Sequence, residues 1–388
     1  MKEFLKLLRT EFKRIFSNDV MMLIFFGAPI AYGILFGYVY FKAKVTDLPI
    51  VIVDYDVSPI SDKIIHALDD NEVLKIVEVK HNAHTIKEEM PKNNYAAIIS
   101  IPKGFEADLL LKRYPEIQVD VNTVNILNAN FATKNIQLVL GTLKAGIEIN
   151  ALQKQGLSPT IAQKQFEPFK INYNKLYNPT GNYDMFMLPG LIGAIMQQVI
   201  FLALALVFAR DFEDGYFSEL VQHSKNALYH FMLKAVPFMF LIPPMWLVVG
   251  LITRFFCPEL SLFVPTNYLL IALLSMAAVS TGTLFSIAIP NRLKATELLM
   301  VISTPAFVLS GFTWPRMAMP ELIAKAADII PSTAFLDALK KVVFYESNLK
   351  GIMPEIRHLV LLVVVTFILT LIILQVKIHV RRKKLKLE

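Results

Sequence analysis

The chain has 388 residues, of which 55% are hydrophobic and 18% carry a charge. An ordinary soluble domain is about 45–50% apolar, and here the apolar residues stand in long blocks, so the composition excludes such a domain and indicates a protein of the lipid bilayer. The formal net charge is +7, but the basic residues stand beside apolar blocks without a basic-aromatic groove pattern, so no nucleic-acid partner is expected. One cysteine, Cys257, excludes an intramolecular disulfide.

The first 19 residues predict a cytoplasmic amphipathic helix. At helical spacing, one face collects apolar side chains, and five basic residues lie largely on other faces. A helix of this kind lies in the membrane interface. A first membrane-spanning helix is predicted at 20–41, where the apolar block is long enough to cross the hydrocarbon core.

Residues 42–183 predict one inserted extracytoplasmic domain of mixed α/β (α+β) type. Charges, asparagine and proline occur throughout it, and none of its apolar runs is long enough to span a bilayer. Strand patterns alternate with helical patterns, with Ser58 as the expected N-cap of the first helix and Pro59 as its first residue. The predicted strands are 48–56, 73–79, 95–102 and 117–123, and the predicted helices are 58–68, 84–90, 105–112 and 130–155.

Residues 184–376 predict five further spans, which makes the fold class an α-helical polytopic membrane protein with six transmembrane helices. These spans are 185–209, 230–252, 267–290, 297–314 and 357–376. Lysine and arginine cluster in the N-terminal flank, in the short loop with Arg292 and Lys294, and in the basic tail 377–388. Placing all three clusters in the cytoplasm requires an even number of spans, leaves both termini cytoplasmic and puts the inserted domain outside. Residues 315–356 predict an external helical hairpin that dips back toward the membrane.

The segment 210–229 between the second and third spans is unusually rich in carboxylates. One interpretation is a short charged helix that lies along the membrane and transmits motion from a cytoplasmic partner. The other is a polar turn that solvates two helix ends, and residue spacing alone favours it. The carboxylates flank Gly215 and are Asp211, Glu213, Asp214 and Glu219.

Neutral polar residues are predicted inside the spans, where burying them is costly. They serve either interhelical hydrogen bonds, which the pattern favours, or a translocation path. The candidates for the path are Gln197, Gln198, Ser280, Thr281, Ser303 and Thr304. No acidic or basic residue stands deep in a predicted span, which argues against a proton- or sodium-coupled carrier. The sequence also lacks a phosphate-cradling GxxxxGK[ST] loop, so the chain is not expected to hydrolyse ATP itself.

Two weak metal patterns stand in the inserted domain. Asp54 and Asp56 follow a strand in a DxD arrangement, and His81 and His84 stand three residues apart. Turn carboxylates are the favoured interpretation of the first pair, and zinc would need a further ligand beside the second, so no metal is predicted. A membrane-bound enzyme that uses the two aspartates remains an alternative hypothesis.

Four stretches, in chain order, resemble the permease subunit of ABC-2-type ABC exporters, in the branch with a large extracytoplasmic domain after the first helix. Each stretch is weak alone, but together they cover nearly the whole chain. They are Ile50-Val-Ile-Val-Asp-Tyr-Asp-Val-Ser58, Ile98-Ile-Ser-Ile-Pro102 with Phe105, Tyr177-Asn-Pro179 with Pro189-Gly190, and Leu309-Ser-Gly-Phe-Thr-Trp-Pro315 with Met319-Pro320.

The cytoplasmic segment also resembles the family's signature, RE-x-E-x-G-T-x-E-x-L followed by a proline and GK-x-x-P. Asp211 replaces the glutamate, Tyr216 the threonine and Leu233 the glycine of GK, and His223-Ser224 stands near the expected proline. With the resemblance included, coupling to an ATPase is favoured over a polar turn for the segment 210–229. The resemblance assigns this role to Arg210, Asp211, Glu213, Asp214, Gly215, Glu219, Leu220 and Lys234.

The resemblance implies a bacterial inner-membrane exporter for small amphipathic substrates such as drugs, lipids or peptides. This chain would bind no cofactor, because a separate cytoplasmic ATPase subunit would hold ATP and Mg²⁺. A second permease chain, identical or divergent, would complete the pathway within membrane lipid. The external domain would guide release or dock a periplasmic adaptor protein. The alternative is an envelope scaffold or tethering protein that uses its external domain as a binding module.

Overall fold

The structure is a computed structural model that describes residues 2–82, 86–167, 169 and 174–386. The chain forms two compact units. Residues 1–43 and 175–388 make the helical unit, and residues 44–174 make the mixed unit, which is slightly shorter than the predicted domain at 42–183. His84, one residue of the predicted histidine pair, lies outside the described residues.

The helical unit begins with an amphipathic helix followed by the first span. α1 is Lys2–Phe16, α2 is Asp19–Met22, a π-helical turn covers Leu23–Gly27, and α3 is Ala28–Val39. The Asn18 side chain caps α2 by accepting a hydrogen bond from the Met21 amide at 2.9 Å. Pro29 has no N–H to donate to the preceding turn, which accounts for the π-helical turn at this point. The predicted span at 20–41 is confirmed as a helical segment.

The mixed unit is an alternation of strands and helices. Its elements are β1 Leu48–Asp54, α4 Pro59–Asp69, β2 Leu74–Lys80, α5 Ile86–Asn93, β3 Ala97–Ile101, α6 Phe105–Leu110, β4 Gln118–Val121, α7 Ile126–Lys154 and α8 Pro159–Phe166. The predicted strands and helices are confirmed, with shifts of a few residues at their ends. Ser58 caps α4 as predicted, in a reciprocal pair of hydrogen bonds with Ser61.

The sheet of the mixed unit has the strand order β2-β1-β3-β4. β1 pairs in parallel with β2 and β3, whereas β4 is antiparallel to β3. β1 is buried on both faces. Ile50 and Ile52 pack toward α4 and α7, and Val51 and Val53 pack with the buried Ile86 of α5. Helices on both faces of a mostly parallel sheet are typical of α/β architecture.

The rest of the helical unit starts with three long helices and a short one. α9 is Tyr183–Glu213, α10 is Tyr216–His223, α11 is Ala227–Phe256 and α12 is Pro265–Ala288. α9, α11 and α12 are long and apolar enough to cross a membrane and contain the predicted spans at 185–209, 230–252 and, to within two residues, 267–290.

The predicted span at 297–314 differs from the structure. α13 is Arg292–Ser303 and α14 is Ala306–Leu309, with a break at Thr304 and Pro305. Proline lacks a backbone N–H and disfavours helical geometry in the residue before it, so one continuous helix does not form here. Five helices among the described residues are long and apolar enough to span a membrane, rather than the six that were predicted.

The last part of the chain forms the two short helices predicted at 315–356 and the final span. After a 3₁₀ turn at Arg316–Ala318, α15 is Glu321–Ala327, α16 is Pro331–Tyr345 and α17 is Met353–Leu385. α16 is largely buried against α9, α12 and α17. A buried position explains why this segment is more apolar than a solvated loop.

The helical unit has two distinct ends. At the first, called the charged end, α1, α10, the last residues of α9 and the first turns of α11 and α13 meet. At the opposite end, the ring of Tyr40 lies 5.6 Å from that of Tyr183, and Phe312 stacks on Phe186 at 5.5 Å. Because Arg292 lies at the charged end and Phe312 at the opposite end, the broken segment between them crosses the unit.

Candidate functional site

The charged end brings together residues that are far apart in the sequence. Arg14 of α1 donates a hydrogen bond to Asp211 of α9 at 2.8 Å, across 197 residues. Arg381 of α17 donates to the Ser218 hydroxyl of α10, also at 2.8 Å. The predicted coupling segment therefore contacts both the N-terminal helix and the last helix of the chain.

Four charged side chains form a cluster at this end, called the charge cluster: Glu11, Arg14, Asp211 and Lys234. The Lys234 Nζ lies 2.5 Å from an Asp211 carboxylate oxygen and 2.8 Å from one of Glu11. Arg14 lies 3.6 Å from Glu11 in addition to its bond with Asp211. Asp211 is 0% exposed, Lys234 1% and Glu11 3%, so the pairs are removed from water. The cluster joins α1, α9 and α11.

The charge cluster is balanced in charge and covered by an aromatic ring. Two carboxylates face two cations, which offsets the cost of burial. The guanidinium of Arg14 lies 4.0 Å from the centre of the Tyr216 ring, a favourable cation–π distance. Burial opposes the charge of Arg14, but the Asp211 and Glu11 carboxylates outweigh it and raise the pKa of Arg14. Burial, with the Glu11 charge, raises the pKa of Tyr216, so its ring stays neutral.

α10 lies directly beside this cluster. Gly215 precedes it at φ +76°, a left-handed conformation that glycine enters without strain. Phe217 and Leu220 are buried beneath the helix, and the Phe217 ring lies 4.6 Å from that of Phe212 in α9. Glu219 is exposed on the other side of α10. The helix is thus held to α9 by apolar packing and presents a carboxylate outward.

Two more of the predicted coupling residues, besides Asp211 and Lys234, pair within the chain itself. Arg292, at the start of α13, pairs with Glu213 at 2.6 Å and with Asp214. Glu213 also accepts the Arg292 backbone N–H at 2.8 Å. These two carboxylates brace α9 against α13, whereas Glu219 is left to face outward. The coupling role of all eight residues stays a prediction.

The candidate path residues do not gather in one place. Gln197 lies in the middle of α9, where its side-chain oxygen accepts the Ser332 backbone N–H at 2.5 Å. This bond satisfies the first turn of α16. Gln198 is partly buried on the neighbouring face of α9. Gln197 therefore holds a helix of its own chain, and its role in a path stays a prediction.

Among the hydroxyl candidates, Ser303 and Thr304 donate to a backbone carbonyl, that of Met300. Ser280 is buried, and its carbonyl accepts a hydrogen bond from Thr370 at 3.1 Å, while Thr281 is partly buried. Thr304 is exposed at the break after α13 and donates to the Met300 carbonyl at 2.7 Å, and Ser303 is 7% exposed. Hydrogen bonds of this kind satisfy polar groups inside a helical membrane protein.

Sequence reasoning missed Glu11, Arg14 and the role of Tyr216. Glu11 is one of two acidic residues, with Glu3, on a largely basic amphipathic helix, and it stands four residues before the buried Ile15 on the same face. In the sequence, this shared face is the one indication that a charged side chain of α1 is buried. Tyr216, which replaces the family's threonine, supplies the ring beneath Arg14.

The two aspartates of the mixed unit serve a turn. Asp54 is 1% exposed, and its carboxylate accepts from the Asp56 and Val57 amides at 2.9 and 3.0 Å and from the Ser61 hydroxyl at 2.7 Å. The Asp56 carboxylate accepts the Glu106 amide at 3.0 Å. Among the described residues no three His, Cys, Asp or Glu side chains are grouped as metal ligands. The carboxylates that an enzyme would need are thus engaged in capping.

Comparison with known proteins identifies the family. Residues 20–372 match the model of the ABC-2 family transporter protein, and the chain belongs to this family. It is 23% identical over 340 residues to the inner membrane transport permease YhhJ of Escherichia coli (strain K12), covering 82% of this chain and 83% of that relative.

Two further relatives from the same strain carry the description probable multidrug ABC transporter permease. YbhR is 26% identical over 270 residues, which is 63% of this chain and 72% of YbhR. YbhS is 25% identical over 186 residues, 45% of this chain, so the match spans about half of YbhS, 47% of its length. The predicted family is confirmed, and this chain is a membrane permease component that is not itself the ATPase. The family implies, in general, an ATPase partner and dimerisation.

Proposed function

We propose that this chain is the permease subunit of an ATP-driven exporter that moves a small amphipathic substrate outward by alternating access. Two such chains form the pathway, and two cytoplasmic subunits that bind ATP and Mg²⁺ drive it. The observation that carries the proposal is the charged end, where the short surface helix α10 adjoins ion pairs that join α1, α9 and α11. The multidrug description of YbhS and YbhR supports the substrate class.

The proposed route for motion begins at α10. The ATPase subunit docks on the outward side of α10, where Glu219 is exposed. Its movement reaches α9 through the contact between Phe217 and Phe212, and reaches α1 and α11 through Asp211. ATP must favour one arrangement of these helices over the other, because a ligand that binds both equally shifts nothing.

The proposed orientation rests on the distribution of charge. The charged end carries the basic N-terminal helix, Arg292 and the basic C-terminal tail, which the positive-inside rule assigns to the cytoplasm. The broken segment of α13 and α14 then provides the sixth membrane crossing, with Pro305 at the break, and both termini are cytoplasmic. The mixed unit lies outside, where it guides release or docks a periplasmic adaptor, in the inner membrane of a bacterium.

The test is ATP hydrolysis by the complex of this chain with its ATPase subunit, reconstituted in lipid. Glu219→Lys reverses the outward charge of α10 without touching the charge cluster. We expect substrate-stimulated hydrolysis to fall to the level of the ATPase subunit alone. Glu259→Lys, an exposed glutamate between α11 and α12, is the matched control and leaves stimulation intact.

Unchanged stimulation in Glu219→Lys would contradict the coupling role of α10. If the chain copurifies with no ATPase subunit and transports nothing, the envelope scaffold or tethering hypothesis replaces the exporter.

A further inference from the structure

An open cavity of about 370 Å³ lies where α1 ends and the first membrane-spanning segment begins. It is lined by Arg14, Ser17, Asn18, Arg210 and Asp214. Two of the five lining residues are arginines, and one of them is almost fully buried.

Arg210 has no hydrogen-bond acceptor among the described residues. It is 8% exposed, and its Nε is buried without an acceptor. The neighbouring carboxylates are engaged elsewhere, because Asp211 pairs with Lys234 and Asp214 pairs with Arg292. A buried N–H without an acceptor costs free energy, and buried polar groups in native proteins nearly always have partners. Because Arg210 also lines the cavity, we expect an acceptor from outside the chain to meet its guanidinium there.

A phosphate group fits the cavity. Guanidinium groups bind phosphate oxygens through strong charge-assisted hydrogen bonds, which are frequently bidentate. Arg14 contacts Asp211 through one of its nitrogens, Nη1, so the remaining N–H groups are available for a second bond. Asn18 uses its side-chain oxygen to cap α2, which leaves its amide N–H₂ as a donor.

The surroundings point to a lipid as the source of the phosphate. Phe16, Val20 and Leu23 flank the cavity in the sequence and are 48%, 60% and 70% exposed. Apolar side chains beside a cationic cavity at the start of a membrane span match the two parts of a phospholipid. We propose that Arg210 and Arg14 bind the headgroup phosphate of an anionic phospholipid, whose acyl chains lie along these three residues. The proposed function places the charged end in the cytoplasm, so the phospholipid would belong to the cytoplasmic leaflet. This assignment to a leaflet is the one part of the inference that rests on the proposed function.

Native mass spectrometry of the purified full chain, titrated with phosphatidylglycerol, tests the proposal. We expect one tightly retained lipid on the wild type, and about tenfold to hundredfold weaker retention in Arg210→Gln, the loss typical of a hydrogen bond to a charged group. Asn18→Asp is the second variant. It preserves the cap on α2, because aspartate and asparagine cap helices equally well, but it places a negative charge in the cavity and expels the lipid.

Arg9→Gln, an exposed arginine of α1, is the matched control and retains the lipid. Equal retention by the wild type and Arg210→Gln overturns the proposal, as does phosphatidylcholine held as tightly as phosphatidylglycerol. Release of the lipid by millimolar inorganic phosphate overturns the lipid assignment in favour of a free-anion site. No ATPase subunit is present in this experiment, so its failure is distinct from a failure of the coupling role of α10.

Discussion

Polar groups are buried at two levels of the helical unit, and they find their partners in different ways. At the charged end, Asp211 and Lys234 are both at most 1% exposed and pair with each other and with residues of α1. In the middle of the unit the buried groups are neutral, and Gln197 and Thr370 bond to backbone groups of α16 and α12.

Under the proposed function, this difference distinguishes the helices that move from those that stay fixed. A neutral side chain bonded to the backbone fixes one helix position and has few alternative partners. In the charge cluster each carboxylate lies within ion-pair distance of both cations, so a shift of α1 or α11 can exchange one pairing for another while the charges stay paired. The charged end therefore suits the proposed transmission of motion from a cytoplasmic ATPase subunit. The middle of the helical unit suits a fixed core.

The largest expected effect comes from unbalancing the charge cluster. Lys234→Met leaves Glu11 and Asp211 with one cation, and we expect a loss of about 3–5 kcal/mol in the free energy of unfolding, typical of a broken buried pair. Thermal unfolding followed by size-exclusion chromatography measures this as a lower midpoint. Adding Glu11→Gln restores neutrality and recovers part of the loss. Lys225→Met, at an exposed lysine, is the control. No recovery in the double variant would contradict the charge balance.

The next effect tests the neutral hydrogen bonds in the middle of the helical unit. Gln197→Leu leaves the buried Ser332 N–H without an acceptor, and we expect a loss of about 1–3 kcal/mol, the cost of an unsatisfied buried donor. The same unfolding measurement applies. Gln198→Leu is the matched control at the neighbouring position and costs less, because within the described part of the chain Gln198 makes no hydrogen bond to a helix terminus. Equal losses in the two variants would show that the bond to α16 is not what Gln197 contributes.

A smaller effect is expected at Gly215, in the turn between α9 and α10. Gly215→Ala forces a side chain into the left-handed region and costs about 1–2 kcal/mol. Gly215→Asn costs less, because asparagine enters this region more readily than alanine does. Hydrogen exchange of the α10 amides measures the effect, and we expect faster exchange in both variants than in the wild type, with the larger increase in Gly215→Ala. Equal exchange in the two variants would rule out backbone strain as the cause.

The smallest effect lies in the mixed unit and depends on pH. Burial acts to raise the pKa of Asp56, but hydrogen bonds from Ser58 and from the Gly104, Phe105 and Glu106 amides outweigh it and lower the pKa. A lowered folded pKa contributes stability that is present above the ordinary carboxyl range and is lost as pH falls through the folded value.

We therefore expect the protection of the Glu106 amide, corrected for its intrinsic exchange rate, to weaken in acid in the wild type. In Asp56→Asn this acid dependence disappears. A protection factor that falls equally in both proteins would assign the acid effect to another group.

The sequence predicted the mixed unit well, because strand and helix periodicities are local and Ser58 with Pro59 marks a helix start by itself. It also located five spans from their apolar length. It did not predict the broken helix around Pro305, since proline inside an apolar block is compatible with a continuous kinked helix as well. The sequence did not predict the ion pairs of the charge cluster. Arg14 and Asp211, for example, are 197 residues apart, and local spacing carries no sign of such a pair.

The proposed function depends most on which end of the helical unit faces the cytoplasm. Labelling with a membrane-impermeant maleimide in right-side-out vesicles tests this directly, in a Cys257→Ser background that removes the one native cysteine. We predict that Met317→Cys and Val124→Cys, whose wild-type residues are 94% and 93% exposed, react in intact vesicles, and that Glu219→Cys reacts only after the membrane is opened. Labelling of Glu219→Cys in intact vesicles, with the other two protected, would contradict the orientation and the docking of an ATPase subunit on α10.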